Sequence, residues 1–174
     1  IVEPPAPIAS FPSGAVVETE ACGANSANTA AGETCQNAYT ANIATYNCGT
    51  IDSNPNGFDQ DVYKFPDITN ASNFYTVSLL CESPINIFIF AGGPATCPTT
   101  GDPDAATQVA GFTIFPNNRT GVVQFELANL PVGQFYVFLQ PTQTDGMNCS
   151  TNRNKYCLFI GTAGVGACCV QAGT

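Results

Sequence analysis

DQDVYKF at 59–65, NFYTVSLLC at 73–81 and INIFIFA at 85–91 decide the fold. In the second segment Tyr75, Val77, Leu79 and Cys81 fall on one face, with Thr76 and Ser78 on the other. In the third, Ile85, Ile87 and Ile89 oppose Asn86, Phe88 and Phe90. A period of two, rich in β-branched and aromatic residues, marks half-buried strands.

The same pattern extends outward. Strands are expected near Tyr46–Asp52, Asp61–Phe65, Asn73–Cys81, Ile85–Ala91, Gly111–Phe115, Gly121–Leu127, Gln134–Gln140 and Lys155–Gly161. Turn-forming clusters separate them: NPNG at 54–57, AGGP at 91–94, GDPD at 101–104, PNN at 116–118 and TDG at 144–146. Within Gln134–Gln140, Phe135, Val137 and Leu139 alternate with Tyr136 and Phe138, which predicts cover on both faces. About eight short strands with regular turns predict an all-β, jelly-roll-like antiparallel β-sandwich. Residues 18–161 form this domain. Residues 1–17, with Pro4, Pro5, Pro7 and Pro12, read as an extended arm or linker. A small-residue tail occupies 162–174. A helical turn is expected around Cys35–Ala44, although no sustained helical period appears.

At 174 residues the chain holds one ordinary domain. Its net charge of -9, with only Lys64, Arg119, Arg153 and Lys155 basic, excludes a nucleic-acid or anionic-membrane surface. No apolar run reaches the roughly 18 residues of a membrane helix. No charged-then-apolar leader opens the sequence, which reads as a mature or processed start.

Nine cysteines without a histidine or a CxxC pair argue for disulfides in an oxidising compartment, hence an extracellular or cell-surface protein. The candidates are Cys22 with Cys35, Cys81 with Cys97, Cys149 with Cys157, and Cys48 with Cys168 or Cys169. Nine is odd, so one thiol is free, capped or bonded to another chain. Three N-x-[ST] sequons, at Asn70, Asn118 and Asn148, are candidate glycosylation sites in or beside loops.

Enzymatic arrangements fail in turn. Without histidine there is no Ser-His-Asp or Cys-His pair, and no zinc helix or phosphate loop is present. Carboxylate pairs such as Asp102 with Asp104, or Glu82 with Glu126, occur in almost any sequence and do not specify a glycosidase. The expectation is a non-enzyme. Seven of the thirteen acids (Glu18, Glu20, Glu33, Asp52, Asp59, Asp61 and Asp67) lie between 18 and 67. Crowded oxygen donors suit Ca²⁺, while the plainer reading is solvated acids that keep a weakly charged chain soluble.

Several segments together resemble the bacterial pre-peptidase C-terminal domain, a β-sandwich appended to many secreted hydrolases. They are Glu18-Thr19-Glu20, Gly49-Thr50-Ile51, the strand Asp59-Gln60-Asp61-Val62-Tyr63-Lys64-Phe65, YTVSL at 75–79, IFIF at 87–90 and GQFYVFLQ at 133–140. The resemblance covers residues 17–161, and D-x-D-x-Y-x-F after G-x-I is its most specific element. It implies a Ca²⁺ site built from Glu18, Glu20, Asn25, Asp59 and Asp61.

Two functions follow. The first is a structural subunit that assembles with copies of itself, through its terminal arms, into an extracellular fibril or surface layer. The second is a calcium-dependent accessory domain of a secreted hydrolase that binds polysaccharide or extracellular protein.

Overall fold

A computed structural model describes residues 8, 10–19, 22, 38–54, 57–65, 74–91, 108–114, 121–126, 135–142 and 154–163. All the regular structure among them is strand. Each of the eight segments expected from alternation forms one: β3 (Tyr46–Thr50), β6 (Asp61–Lys64), β7 (Phe74–Cys81), β8 (Ile85–Ala91), β9 (Gln108–Ile114), β10 (Gly121–Glu126), β11 (Phe135–Pro141) and β12 (Lys155–Ala163). Four two-residue strands add to these: β1 (Val16–Val17), β2 (Tyr39–Thr40), β4 (Ser53–Asn54) and β5 (Gly57–Phe58).

The strands form two five-stranded sheets, ordered β1-β3-β12-β7-β10 and β2-β6-β11-β8-β9, with β4-β5 as a separate ribbon. The long strands pair antiparallel, whereas β1 joins β3 and β2 joins β6 in parallel. The inner faces meet in one core. Val77, Leu79 and Cys81 of β7, with Tyr156, Leu158 and Ile160 of β12, face Ile85, Ile87 and Ile89 of β8 and Phe135, Val137 and Leu139 of β11. Each aliphatic or aromatic side chain buried there contributes about 1.5–3 kcal/mol. The expected second cover is also found: Val62, Phe90, Tyr136 and Phe138 form a buried cluster on the opposite face of the β6-β11-β8 sheet.

Two expectations are corrected. The described part of the segment read as a helical turn is extended at Tyr39–Thr40, paired with Tyr63 and Lys64. The following turn places Ala44 at φ 58°, a left-handed conformation that costs a non-glycine residue free energy. Asn47 holds it there. Its Oδ1 accepts from Asn42 N at 2.9 Å, and its Nδ2 donates to Asn42 O and Thr45 O, each at 3.1 Å.

The disulfides are the second correction. Cys48 bonds to Cys157, not to Cys168 or Cys169, and Cys157 is therefore not paired with Cys149. The two face each other across β3 and β12 with Cα atoms 4.1 Å apart. Ile51 N donates to Asn154 O, so counting inward puts Cys48 and Cys157 at a non-hydrogen-bonded position, where facing residues approach most closely. Spacing along the chain favoured short loops, whereas sheet register joined cysteines 109 residues apart. Cys81 is a free thiol and not the partner of Cys97. It lies on the inner face of β7, 4% exposed, and burial pushes its pKa up to about 12. Cys22 is disulfide-bonded, to a cysteine outside the described residues. Cys35, Cys97, Cys149, Cys168 and Cys169 also lie outside them, as do Asn70, Asn118, Asn148 and the tail from 164.

Two outcomes follow. Peptide mapping without reductant is expected to recover Cys48 linked to Cys157, with Cys81 alkylated only after denaturation. Asn47→Ala is expected to lower unfolding free energy by about 2 kcal/mol, measured by urea titration, because it removes the three hydrogen bonds to Asn42 and Thr45 that hold the turn, each worth about 0.5–1.5 kcal/mol.

Candidate functional site

Most of the buried polar groups gather at one end of β3, β6 and β12. Period-two alternation puts Asp61, Tyr63 and Phe65 of the β6 region on the inner face, and Tyr156 reaches the same space from β12 in the other sheet. The two tyrosine hydroxyls are 2.8 Å apart. Tyr156 donates to Glu18 Oε2 at 3.2 Å, which leaves Tyr63 as the donor to Tyr156. The relay therefore runs from Tyr63 through Tyr156 to Glu18, crossing from one sheet to the other.

Glu18 follows directly on β1. Its backbone N–H extends the parallel pairing by donating to Cys48 O at 3.0 Å. Its side chain then replaces the next strand residue: Oε1 accepts from Thr50 N at 2.5 Å and from Thr50 Oγ1 at 3.0 Å. Gly49 makes this possible. A Cβ at that position would lie 2.1 Å from Glu18 Oε2 and 2.5 Å from the Tyr156 hydroxyl oxygen. The missing side chain is the opening through which the carboxylate enters.

Burial, together with the negative charges of Asp61 and Glu18, holds both tyrosine pKa values well above the ordinary value. Both hydroxyls stay protonated at neutral pH and act as fixed donors. They are unsuited to serve as a base or a nucleophile there.

A second acidic pair closes the neighbouring loop. Asp59 Oδ2 accepts from Asp52 N at 3.0 Å, and Asp59 N donates to Asp52 O at 2.9 Å. This reciprocal pairing fastens the base of the β4-β5 ribbon. Cys22 joins the same end of the sandwich through Asn154, whose Nδ2 lies 2.7 Å from Cys22 Sγ.

Of the five residues implied as calcium ligands, Glu18, Asp59 and Asp61 are described, and Glu20 and Asn25 lie outside the described residues. Glu18 and Asp61 share the tyrosine pair, while Asp59 turns to Asp52. Among the described residues no three His, Cys, Asp or Glu side chains form a metal-holding group. These three acids alone do not supply the 6–8 oxygens Ca²⁺ takes.

Tyr63, Tyr156, Gly49 and Thr50 carry the arrangement; Tyr63, Gly49 and Thr50 entered the sequence reading only as parts of the resemblance, with no role in a site, and Tyr156 was not singled out. One signal was available: a tyrosine at an inner position of an alternating strand brings a hydroxyl that needs a partner when buried.

No family model matches the sequence, and no curated protein matches it. Among solved structures, the chain is similar to the pre-peptidase C-terminal domain of collagenase from Bacillus anthracis. The TM-score is 0.46 and the identity 14%, over 71% of this chain and 93% of that one. This is the domain type that segments within residues 17–161 resemble.

Gly49→Ala is expected to cost about 3 kcal/mol in chemical denaturation, because the methyl group must displace Glu18 or Tyr156. The tyrosine pair also predicts a pH dependence. Both folded-state pKa values are raised, so their stabilisation is complete below the unfolded value of about 10 and is lost as pH rises through the folded values. Unfolding midpoints from about pH 9 to 11.5 should therefore fall with pH, and less steeply in Tyr63→Phe and Tyr156→Phe.

Proposed function

We propose that this chain is a non-catalytic extracellular module that binds polysaccharide or extracellular protein on behalf of a secreted hydrolase. The observation that carries the reading is the use made of the buried polar cluster. Its hydroxyls are held protonated and spent on fixing Glu18 across the sheets, which is scaffold chemistry. The Cys48–Cys157 disulfide suits an oxidising compartment. A calcium requirement belongs to the same reading. It is supported by the crowding of seven acids between 18 and 67, and it needs donors beyond Glu18, Asp59 and Asp61.

A second reading is the self-assembling subunit of a fibril or surface layer. The apolar exposure of Val16, Val17 and Tyr46 on and beside the β1 edge favours it. Against it stands the docking of the arm, whose Val16–Val17 pair with β3 of their own chain.

The test is co-sedimentation of the chain with insoluble polysaccharides and with fibrous collagen, in Ca²⁺ and in EDTA, beside negative-stain imaging of the chain alone. Saturable binding by a monomer, reduced at least tenfold by EDTA, is the expected result. Ordered polymers without binding would replace this reading with the fibril subunit.

A further inference from the structure

The arm is held on the sandwich as a ligand would be held. Ile8 is gripped on both backbone groups: its N–H donates to Glu82 Oε1, and its C=O accepts from Lys155 Nζ at 2.9 Å. Glu82 is itself buried and fixed, since Oε2 accepts from Lys155 N at 2.9 Å and its backbone N–H donates to Lys155 O at 3.0 Å. The Lys155 ammonium also stands 6.0 Å from the centre of the Phe11 ring. The chain then reverses through a tight turn, in which Ala15 N donates to Pro12 O at 3.1 Å and Gly14 adopts φ 78°. From there Val16–Val17 line the outer edge of β3, and Glu18 drops its carboxylate into the opening at Gly49.

Two side chains imitate strand pairing, an open edge accepts a dipeptide and a pocket takes a carboxylate. Together these make a groove for an extended peptide. The occupant's strand pairing is slight. β1 is two residues long at the sheet margin, and Val16 and Val17 remain 47% and 43% exposed. Lifting it leaves the strand pairing of β3-β12-β7-β10 and of the second sheet in place, while Tyr156 and Thr50 lose Glu18 as their acceptor.

We propose that this groove accepts residues 8–18 of a second copy of the chain, so that the arm is exchanged between molecules and supplies Glu18 in trans. The same sequence fits either way, because the contacts that hold Ile8, Phe11, Val16–Val17 and Glu18 all join the arm to the sandwich body. In cis the arm acts at an effective concentration of about millimolar, so the closed monomer dominates in dilute solution. Exchange takes over where copies are crowded or where the cis arm is weakened. The proposal does not depend on what surface the module binds.

Complementary full-length variants test it. Phe11→Ala with Glu18→Gln spoils the arm and keeps the groove, whereas Lys155→Ala spoils the groove and keeps the arm. Each alone is expected to sediment as a monomer, and an equimolar mixture as a heterodimer. A mixture that sediments as the sum of two monomers overturns the proposal. A labelled peptide of residues 8–18 gives an independent readout. It should bind the arm-spoiled variant at least tenfold more tightly than the unaltered chain, and tenfold more tightly than the same peptide with Glu18→Gln. Equal binding in either comparison overturns the proposal. Phe11→Ala alone, which leaves the Glu18 cluster intact, serves if the double variant loses its strand signature. It too must bind the peptide more tightly than the unaltered chain.

Discussion

One carboxylate crossing the edge of a sheet ties this structure together. Glu18 leaves a two-residue edge strand, passes over Gly49 and ends on Thr50 and the Tyr156 hydroxyl. Tyr156 is bonded in turn to Tyr63 of the opposite sheet. A polar chain between packed sheets would cost several kcal/mol if its members lacked partners, and less if each donor met an acceptor. Here the tyrosines donate in series toward the carboxylate, so direction as well as distance is set. The arm, the first sheet and the second sheet are thereby held in one register.

The disulfide and the cluster support each other through adjacent residues. Cys48 precedes Gly49 and Cys157 follows Tyr156, so the covalent link fixes the two strands where the carboxylate needs its opening. In the neighbouring loop, the mutual pairing of Asp52 and Asp59 fixes the exit from β3 and the entry to β6. Stability, compartment and arm position therefore converge on one end of the sandwich. The cluster of Val62, Phe90, Tyr136 and Phe138 is a separate apolar layer that stiffens the other sheet.

How far the sequence could be read depended on the range of the interaction. Alternation is local, so the segments that became β3, β6–β12 could be found from Val77, Leu79 and Ile85, Ile87, Ile89 and their like. The strands β1, β2, β4 and β5 are two residues each, too short for any period, and exist only because a longer neighbour offers an edge. Cysteine pairing failed for the same reason: Cys48 and Cys157 meet by register, which nothing near either residue announces. The D-x-D-x-Y-x-F strand did point to the right place. Its acids suggested a cation, whereas the structure gives Asp61 a tyrosine pair as its near neighbours and Asp59 a backbone N–H. Gly49 could not be recognised as an opening before the carboxylate that fills it was located.

The central claim is that Glu18 and Tyr156 act as one unit across the sheet edge. A double-mutant cycle on Glu18→Gln and Tyr156→Phe, read by urea denaturation at neutral pH, tests it most directly. The account predicts a coupling of about 1–3 kcal/mol, because losing either partner already undoes the shared interaction. Additivity within about 0.5 kcal/mol would show that the two contribute separately, and would contradict it.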